Sequence, residues 1–260
     1  MDRPIIFSAP MIRAIRREIA APGTGKTQTR RILKPQPDPL APVGYIHSYQ
    51  GSRTFDLHTR PRFTNGRFIG SDRMQIVVAP CATGDRLWVK ENHYRTDDGD
   101  EEFAIYACDE EAVREHLAEI DALPATISDE VKRRHRKLRP SIHMPRWASR
   151  LTLLVTDVRV ERLNAISEAD AIAEGMPDFG SFCESLDPGE LNAAGETASE
   201  TASRLRWPQR WFASLWNDIN GADAWDANPW VVAITFQPFE TNIDRMPERP
   251  APVALSAAAE

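Results

Sequence analysis

The chain has 260 residues, a formal net charge of −6 at pH 7 and 42% hydrophobic residues. This length fits one elaborated domain or two small ones, each with a hydrophobic core. The acidic balance argues against a general nucleic-acid coat protein, but it allows a local basic patch.

The cysteines and the N-terminus bear on where the protein works. Cys81, Cys108 and Cys183 are widely spaced and odd in number, which indicates a reducing compartment without a disulfide framework. No Cys-x-x-Cys or His-x-x-x-His spacing occurs, so we expect no metal site, and we expect no cofactor. The N-terminus has no apolar signal core, and no run approaches the ~20 apolar residues of a membrane span. We therefore expect a cytoplasmic protein with no membrane association.

The first predicted elements are a strand, a helix and a second strand. A short apolar run at 4–7 predicts the first strand, and Ser8 is expected to cap the helix that follows. Apolar residues at 11, 12, 15 and 19 have helical spacing. A glycine loop then leads into 27–33, which stops before Pro35 and predicts a short strand.

The segment Gly25-Lys26-Thr27 resembles the end of a phosphate-binding loop. Such a loop follows a strand, precedes a helix and has a glycine five residues before its Gly-Lys pair. Here that position is Ala20, a predicted helix comes first and a predicted strand follows. The order of elements therefore argues against a P-loop.

The predicted strand after the glycine loop presents two different faces. Side chains alternate across a strand, so one face carries Thr27, Thr29 and Arg31. The other face carries Gln28 and Arg30. The lysine at the mouth of the loop can curl over either face, which would bring a hydroxyl, a guanidinium and an ammonium together. The alternative is a solvated edge strand.

The rest of the chain predicts strands joined by irregular loops, with a few helices outside them. Residues 36–74 are polar, with weak periodicity, and predict an insertion with one hairpin. Apolar β-branched runs predict further strands, and amphipathic or capped segments predict further helices. The expected strands are 76–78, 86–91, 103–106, 151–160 and 230–236, and the expected helices are 109–123, 167–175 and 207–219.

Three of these elements allow more specific predictions. The odd positions of strand 151–160 run Leu, Leu, Val, Asp and Arg, so one face is expected to turn polar near its end. In helix 167–175, Ser167 is expected to be the N-cap and Gly175 the stop. The last helix has an apolar residue at every fourth position, which predicts core packing and not a base-stacking surface. These residues are Trp207, Trp211, Leu215 and Ile219.

One concentrated basic run lies at 132–139. Such runs are usually solvated surface. The alternative is a phosphate-binding patch, in which Arg133, Arg134 and Arg136 bind RNA beside the functional cleft.

Together these elements predict an α+β, mainly β fold. We expect a small, partly open β-barrel with flanking helices and long insertions. Residues 1–240 are expected to form a single domain, with insertions at about 36–74, 96–138 and 177–204. The last insertion is rich in Gly, Ser, Glu and Thr and is expected to be a flexible loop. The Pro- and Ala-rich segment 241–260 is expected to be a disordered tail.

Four blocks, in this order, resemble the ASCH family, a branch of the PUA-like β-barrels. Their shared order and spacing make the match specific, although each block is short. A longer pattern that includes 139–150 is similar to that of phage and prophage ASCH-type proteins, which are sometimes labelled morphogenetic. The blocks are KTQTRR at 26–31, GDRLWVKE at 84–91, VTDV at 155–158 leading to SEADAIAEGM at 167–176, and WVVAITF at 230–236.

The resemblance implies a barrel cleft that binds RNA or modified nucleosides. Small bacterial members remove the acetyl group of N4-acetylcytidine with a Lys, a Thr and a Glu, which correspond here to Lys26, Thr29 and Glu174. A Thr hydroxyl needs a neighbour that takes its proton. Lys26 has this capacity if burial, or a nearby cation such as Arg30 or Arg31, lowers its pKa. Glu174 would pass protons to the leaving amine.

Three functions remain open at this stage. The first is an amidohydrolase that uses these three residues, and the second is a non-catalytic module that binds a modified nucleoside or RNA through Arg30 and Arg31. The third is a phage assembly factor. In any of them, a Lys26–Glu174 or Arg31–Glu174 ion pair is an alternative that closes the barrel mouth. We expect Thr29, Arg31 and Glu174 to line one cleft, and nothing in the sequence indicates an oligomeric state.

Overall fold

The computed structural model describes residues 1–38, 43–48, 51–59, 63–64, 67–68, 74–97, 102–177 and 207–246. Over these ranges the fold is α+β, with more strand than helix and several sheets. The predicted loop at 177–204 lies outside the described residues except for Pro177.

Strands and helices follow one another along the described part of the chain. The strands are β1 Asp2–Ile6, β2 Gln28–Ile32, β3 Val43–Ser48, β4 Thr54–Thr59, β5 Phe63–Thr64, β6 Arg67–Phe68, β7 Met74–Val78, β8 Arg86–Lys90, β9 His93–Asp97, β10 Glu102–Tyr106, β11 Thr152–Arg162 and β12 Trp230–Phe239. The α-helices are α1 Ala9–Ala20, α2 Glu110–Ala122, α3 Asp129–His135, α4 Glu168–Ala173 and α5 Trp207–Asn220. Short 3₁₀ helices span Ser141–His143, Arg146–Ala148 and Leu163–Ala165.

The central sheet has five strands in the order β1-β8-β11-β12-β2. β1 runs parallel to β8, and the other neighbours are antiparallel. In the described part of the chain, β1 and β2 do not pair with each other, so this sheet is open. Arg31 of β2 nevertheless links the two edges, because its Nη2 donates to the carbonyl oxygen of Ile6 at 2.8 Å.

A β-bulge in β11 decides which side chains face the core. The register against β12 shifts between Val155 and Asp157. After the bulge, Val158 and Val160 are buried in the same hydrophobic core as Val155. The expectation that this face turns polar is therefore wrong, because the extra residue transfers the polar side chains that follow to the opposite face.

Two hydrophobic cores lie on the two faces of the central sheet. Val231 and Val232 are neighbours on β12 but belong to different cores, as alternation along a strand requires. α1 packs Ile12 and Ile15 into the larger core. The smaller core contains α5 and residues of α4. Its aromatic members are Trp211, Phe212, Trp216 and Trp225.

The packing of α5 confirms part of the predicted core packing. Trp211 is buried, while Trp207 and Leu215 pack at the edge of the smaller core. Ile219 is exposed, so the prediction is wrong at that position. The face of the helix that is buried contains Phe212 and Trp216 instead.

The described residues of 36–74 and those of 241–246 are more ordered than expected. Within 36–74 the prediction of one hairpin is wrong, because β3, β4 and β7 form a three-stranded sheet and β5 and β6 form a separate pair. The second insertion contains β10, α2 and α3. The tail prediction is wrong over 241–246, where Ile243 is buried and the Asn242 side chain donates to three backbone carbonyls. Residues 247–260 lie outside the described part.

The helix, glycine loop and strand at 9–32 follow the predicted order. Ser8 occupies the N-cap position of α1, but its side chain makes no capping hydrogen bond. Gly25 lies against α1, and a Cβ at this position would be 2.3 Å from both the Ala14 oxygen and the Glu18 nitrogen. Only glycine allows this approach, and the Lys26 nitrogen then donates to the Ala14 carbonyl at 3.0 Å.

We expect Gly25→Ala to lower the free energy of unfolding by about 3 kcal/mol, because the added methyl group overlaps the α1 backbone. Gly23→Ala is the matched control, since its Cβ would meet nothing within 4 Å and only its φ of +86° is strained. The free energy of unfolding of this control should fall by about 1 kcal/mol. Chemical denaturation of both variants measures the difference, and equal losses would contradict the close approach.

Candidate active site

The junction of α4 with the loop before β2 brings the predicted catalytic residues together. Ser167 caps α4 as expected, because its side chain accepts a hydrogen bond from the Asp170 nitrogen. Glu174 is the C-cap of this helix, and Gly175 ends it with a φ of +97°. The Thr27 nitrogen donates to the Ala173 carbonyl at 2.9 Å, which holds the loop against the end of α4.

Lys26 and Glu174 form a buried ion pair at this junction. The Lys26 Nζ lies 2.6 Å from Glu174 Oε2 and 2.7 Å from the Glu174 backbone oxygen. Lys26 is 1% exposed and Glu174 is 3% exposed. Of the two ion pairs considered from the sequence, the Lys26–Glu174 pair is therefore present. Within the described residues Arg31 has no ion pair, and Arg30 instead reaches Glu174, with Nη1 3.2 Å from Oε1.

The environment of Lys26 makes its ammonium easier to deprotonate than that of a lysine in water. Burial lowers the pKa of the Lys26 ammonium below its ordinary value. The charge and hydrogen bond of Glu174 oppose this shift, while the nearby Arg31 and Arg30 charges add to it. A lysine in this setting releases its proton more readily than one in water.

Arg30 is the centre of a second set of buried charges. Its Nη2 lies 2.7 Å from Glu161 Oε1 and 3.2 Å from Asp170 Oδ2. Its guanidinium also lies over the Phe212 ring, 5.7 Å from the ring centre. Arg30 is 2% exposed, so its bonds are directed to the protein.

Asp170 lies on α4 and packs against the face of β2 that carries Gln28 and Arg30, which is called the outer face below. Burial raises the pKa of this carboxyl, but hydrogen bonds from Gln28 and Arg159, together with the charges of Arg159 and Arg30, outweigh burial. The pKa of Asp170 is therefore below its ordinary value, and the group stays ionised at neutral pH. On the outer face, the buried Arg30 is thus paired with carboxylates.

Thr29 faces the other side of the sheet. It pairs with Ile234 on β12 and is 2% exposed. Within the described residues, no hydrogen bond engages its hydroxyl. Arg31 is two residues further along β2 and therefore shares this face, as the alternation predicts.

A cavity of about 400 Å³ opens on this face, between β1 and β2. Its lining includes Arg3, Ile5, Arg31, Cys81, Leu87 and Ile234. Of the three residues expected to line one cleft, only Arg31 lines this cavity. Thr29 and Glu174 do not line it. Ile234 lines the cavity and pairs with Thr29 on the adjacent strand, so Thr29 is one strand away from the lining.

The basic run forms most of α3 and the residues after it. Arg133, Arg134 and Arg136 line a groove of about 700 Å³ together with Glu130, Lys137 and Arg139. Arg133 is paired with Glu130, and Arg136 with Asp121. The groove and the cavity have no lining residue in common, so the expected contact of the run with the cleft is not seen among the described residues.

Sequence reasoning missed two residues of this region. Glu161 follows the bulge of β11, and no local pattern reveals which face it occupies. Arg3 lies on β1 and lines the same cavity as Arg31, because this cavity lies between the two sheet edges. Asp170 lies three residues after the predicted N-cap Ser167, at the box position of a capped helix, but its contact with Arg30 depends on the tertiary structure.

Comparisons with known proteins give no match. No family model, no curated protein and no solved structure matches the chain. In the ranges that the structure describes, no helix is long and apolar enough to cross a membrane. Over the same ranges, no group of three or more His, Cys, Asp or Glu residues is suited to hold a metal ion. Cys81 and Cys108 are buried free thiols.

We expect Glu174→Gln to lower the free energy of unfolding at pH 7 by about 3–5 kcal/mol, because it leaves the Lys26 charge buried without its carboxylate. The folded state then binds fewer protons than the unfolded state between the lowered Lys26 pKa and its ordinary value of 10.5. Stability of the variant should therefore rise with pH in that interval, more steeply than for the wild type.

The double variant Lys26→Met/Glu174→Gln is the control for this effect. It removes both charges and keeps side chains of similar length, so its stability should lose most of this pH dependence. Denaturation of the three proteins at several pH values between 7 and 10 provides the measurement. A Glu174→Gln protein as stable as the wild type at pH 7 would disprove a buried charge at Lys26.

Proposed function

We propose that the chain is an ASCH-type hydrolase that cleaves an amide on a small nucleoside-like molecule such as N4-acetylcytidine. One observation carries this proposal. Lys26 is buried against Glu174, with its pKa lowered by burial, three residues before a Thr29 hydroxyl that has no protein partner in the described ranges. These are the three residues that the family resemblance implies.

The proposal includes a PUA-like fold with an open barrel. It is supported by the open five-stranded sheet and by the link from Arg31 to Ile6 across its two edges. It is also supported by the position of the cavity, which lies between those edges on the Thr29 face. A ligand in this cavity would approach Thr29 past Ile234.

In the proposed reaction, Lys26 first passes its ammonium proton to Glu174 along the 2.6 Å contact. The neutral Lys26 amine then takes the hydroxyl proton as the Thr29 oxygen attacks the amide carbonyl carbon. The protonated Glu174 delivers its proton to the leaving nitrogen as the carbon–nitrogen bond breaks, which restores the ion pair. Water hydrolyses the acyl-Thr29 ester, releasing the acid and returning a proton to the Thr29 oxygen.

We expect the wild type to convert N4-acetylcytidine to cytidine and acetate, and Thr29→Val to lose at least about 100-fold in turnover. Valine keeps the shape of the side chain but removes the nucleophile. Chromatographic separation of the products after incubation measures the effect. Absence of cytidine from a long incubation with the wild type would refute the hydrolase.

Two variants control for this result. Thr29→Ser keeps a hydroxyl and should retain measurable turnover. Thr235→Val removes a hydroxyl from the neighbouring strand, where it accepts a hydrogen bond from Gln28 on the outer face. This control should keep wild-type turnover, and a loss equal to that of Thr29→Val would indicate damage to the sheet instead of loss of a nucleophile.

A second candidate function is RNA binding without catalysis, and one observation favours it. The α3 groove gathers five basic side chains and a single acidic one among its lining residues. Phosphate oxygens bind such groups and release counterions from the nucleic acid. In this function the groove would hold the RNA backbone.

If the groove binds RNA, we expect Arg133→Ala/Arg134→Ala/Arg136→Ala to weaken binding of a short single-stranded RNA and to flatten its salt dependence. Loss of three phosphate contacts should reduce the slope of log K against log salt by roughly 2. Fluorescence anisotropy at several salt concentrations measures the slope. Arg245→Ala, at an exposed arginine outside the groove, is the control. An unchanged slope in the triple variant would exclude the groove from RNA binding.

A further inference from the structure

The cavity between β1 and β2 contains two arginines that the proposed chemistry does not use. Arg3 comes from β1 and Arg31 from β2, on opposite sides of the gap between the sheet edges. Most of the other lining residues are apolar, including Ile5, Leu87 and Ile234. The cavity therefore combines an apolar floor with two cationic groups.

Arg3 is incompletely bonded. Its Nε is buried without a hydrogen-bond partner, and its Nη2 contacts only the weak acceptor Met1 Sδ, at 3.0 Å. Among the described residues it has no ion pair. A buried guanidinium nitrogen without an acceptor costs free energy, which a ligand oxygen at this position would recover.

Arg31 is held in place but not neutralised. Its Nη2 donates to the Ile6 carbonyl at 2.8 Å, and its guanidinium lies 5.1 Å from the centre of the Phe7 ring. Burial lowers the pKa of Arg31, while the charge of Glu174 opposes this shift. The protein thus fixes the orientation of this cation without placing a carboxylate on it in the described part of the chain.

No negative group lines the cavity in the part of the chain that the structure describes. Its lining contains neither Asp nor Glu. Burial, and secondarily the charge of Asp85, raises the pKa of the Cys81 thiol to about 11, so this group is neutral at pH 7. This differs from the outer face of the same sheet, where three carboxylates surround Arg30. The lack of a countercharge is therefore a property of this cavity and not of the whole sheet.

We propose that this cavity binds the phosphate of a nucleotide, so that the preferred substrate of the proposed hydrolase is an acylated nucleoside monophosphate instead of the free nucleoside. This inference rests on the proposed function. The two guanidinium groups would take the phosphate oxygens, and the apolar floor would contact the sugar and base. A volume of about 400 Å³ is in the range of small-ligand pockets.

Isothermal titration calorimetry with cytidine 5′-monophosphate and with cytidine tests the anion site. The nucleotide is expected to bind the wild type at least about tenfold more tightly, because charge-assisted hydrogen bonds to arginine are strong. Inorganic phosphate should bind more weakly than the nucleotide, since it cannot contact the apolar floor. Equal affinities for nucleotide and nucleoside in the wild type would overturn the proposal, and equal affinities for nucleotide and inorganic phosphate would overturn the nucleotide assignment.

Arg3→Met keeps the apolar stem and removes the charge, so it should abolish the preference for the nucleotide over cytidine. Arg3→Lys should restore part of the preference. Arg114→Met, at an exposed arginine of α2 that does not line the cavity, should keep all of it. A preference that survives Arg3→Met would also overturn the proposal, and unchanged thermal unfolding of this variant verifies that it is folded.

Hydrolysis assays separate this inference from the proposed function. Deacetylation of N4-acetylcytidine to cytidine at the same rate as deacetylation of its 5′-monophosphate to cytidine 5′-monophosphate would overturn the anion site and support the hydrolase. Nucleotide binding that depends on Arg3, with no product from either substrate, would support the anion site and overturn the hydrolase. Failure of both ligands to bind would overturn the anion site.

Discussion

The buried Glu174 carboxylate, shared by Lys26 and Arg30, is the interaction on which the rest of this region depends. It joins α4 to the loop before β2 and to β2 itself, across a separation of 148 residues for the Lys26 contact. Charges removed from water are stable only when they are paired, so the Lys26 ammonium does not tolerate burial without this carboxylate, whereas Arg30 is also paired with Glu161 and Asp170. The close approach that the pairing needs is provided by Gly25 and Gly175, whose backbones contact α1 and Lys26.

The two faces of β2 have opposite electrostatic character. On the outer face, Arg30 is surrounded by carboxylates, and the bulge of β11 contributes to this by turning Glu161 toward it. On the inner face, Arg31 and Arg3 line the gap between the sheet edges without a carboxylate in the described lining. The buried charge of the outer face is therefore balanced within the protein, and the unbalanced charge lies where the cavity leaves room for a ligand.

Much of the local structure follows from the sequence. The apolar spacing of α1, the glycine loop, the Ser167 cap and the Gly175 stop all depend on residues within one or two turns of each other, and the structure has each element near its expected bounds. The less successful predictions concern the insertion at 36–74, where β4 is central and pairs with both β3 and β7. Polar strands with weak alternation give little local signal, because their stability comes from partners that are distant in the chain.

The sequence by itself predicted Lys26, Thr29 and Glu174 as candidate catalytic residues, through a resemblance of short blocks that no family model matches. It also determined that Thr29 and Arg31 share a face, because alternation along a strand is a local property. Only the tertiary structure decided that Arg30, and not Arg31, pairs with Glu174, and that Arg3 and Arg31 line one cavity. These arrangements arise from long-range packing, which leaves no periodic signal in the chain.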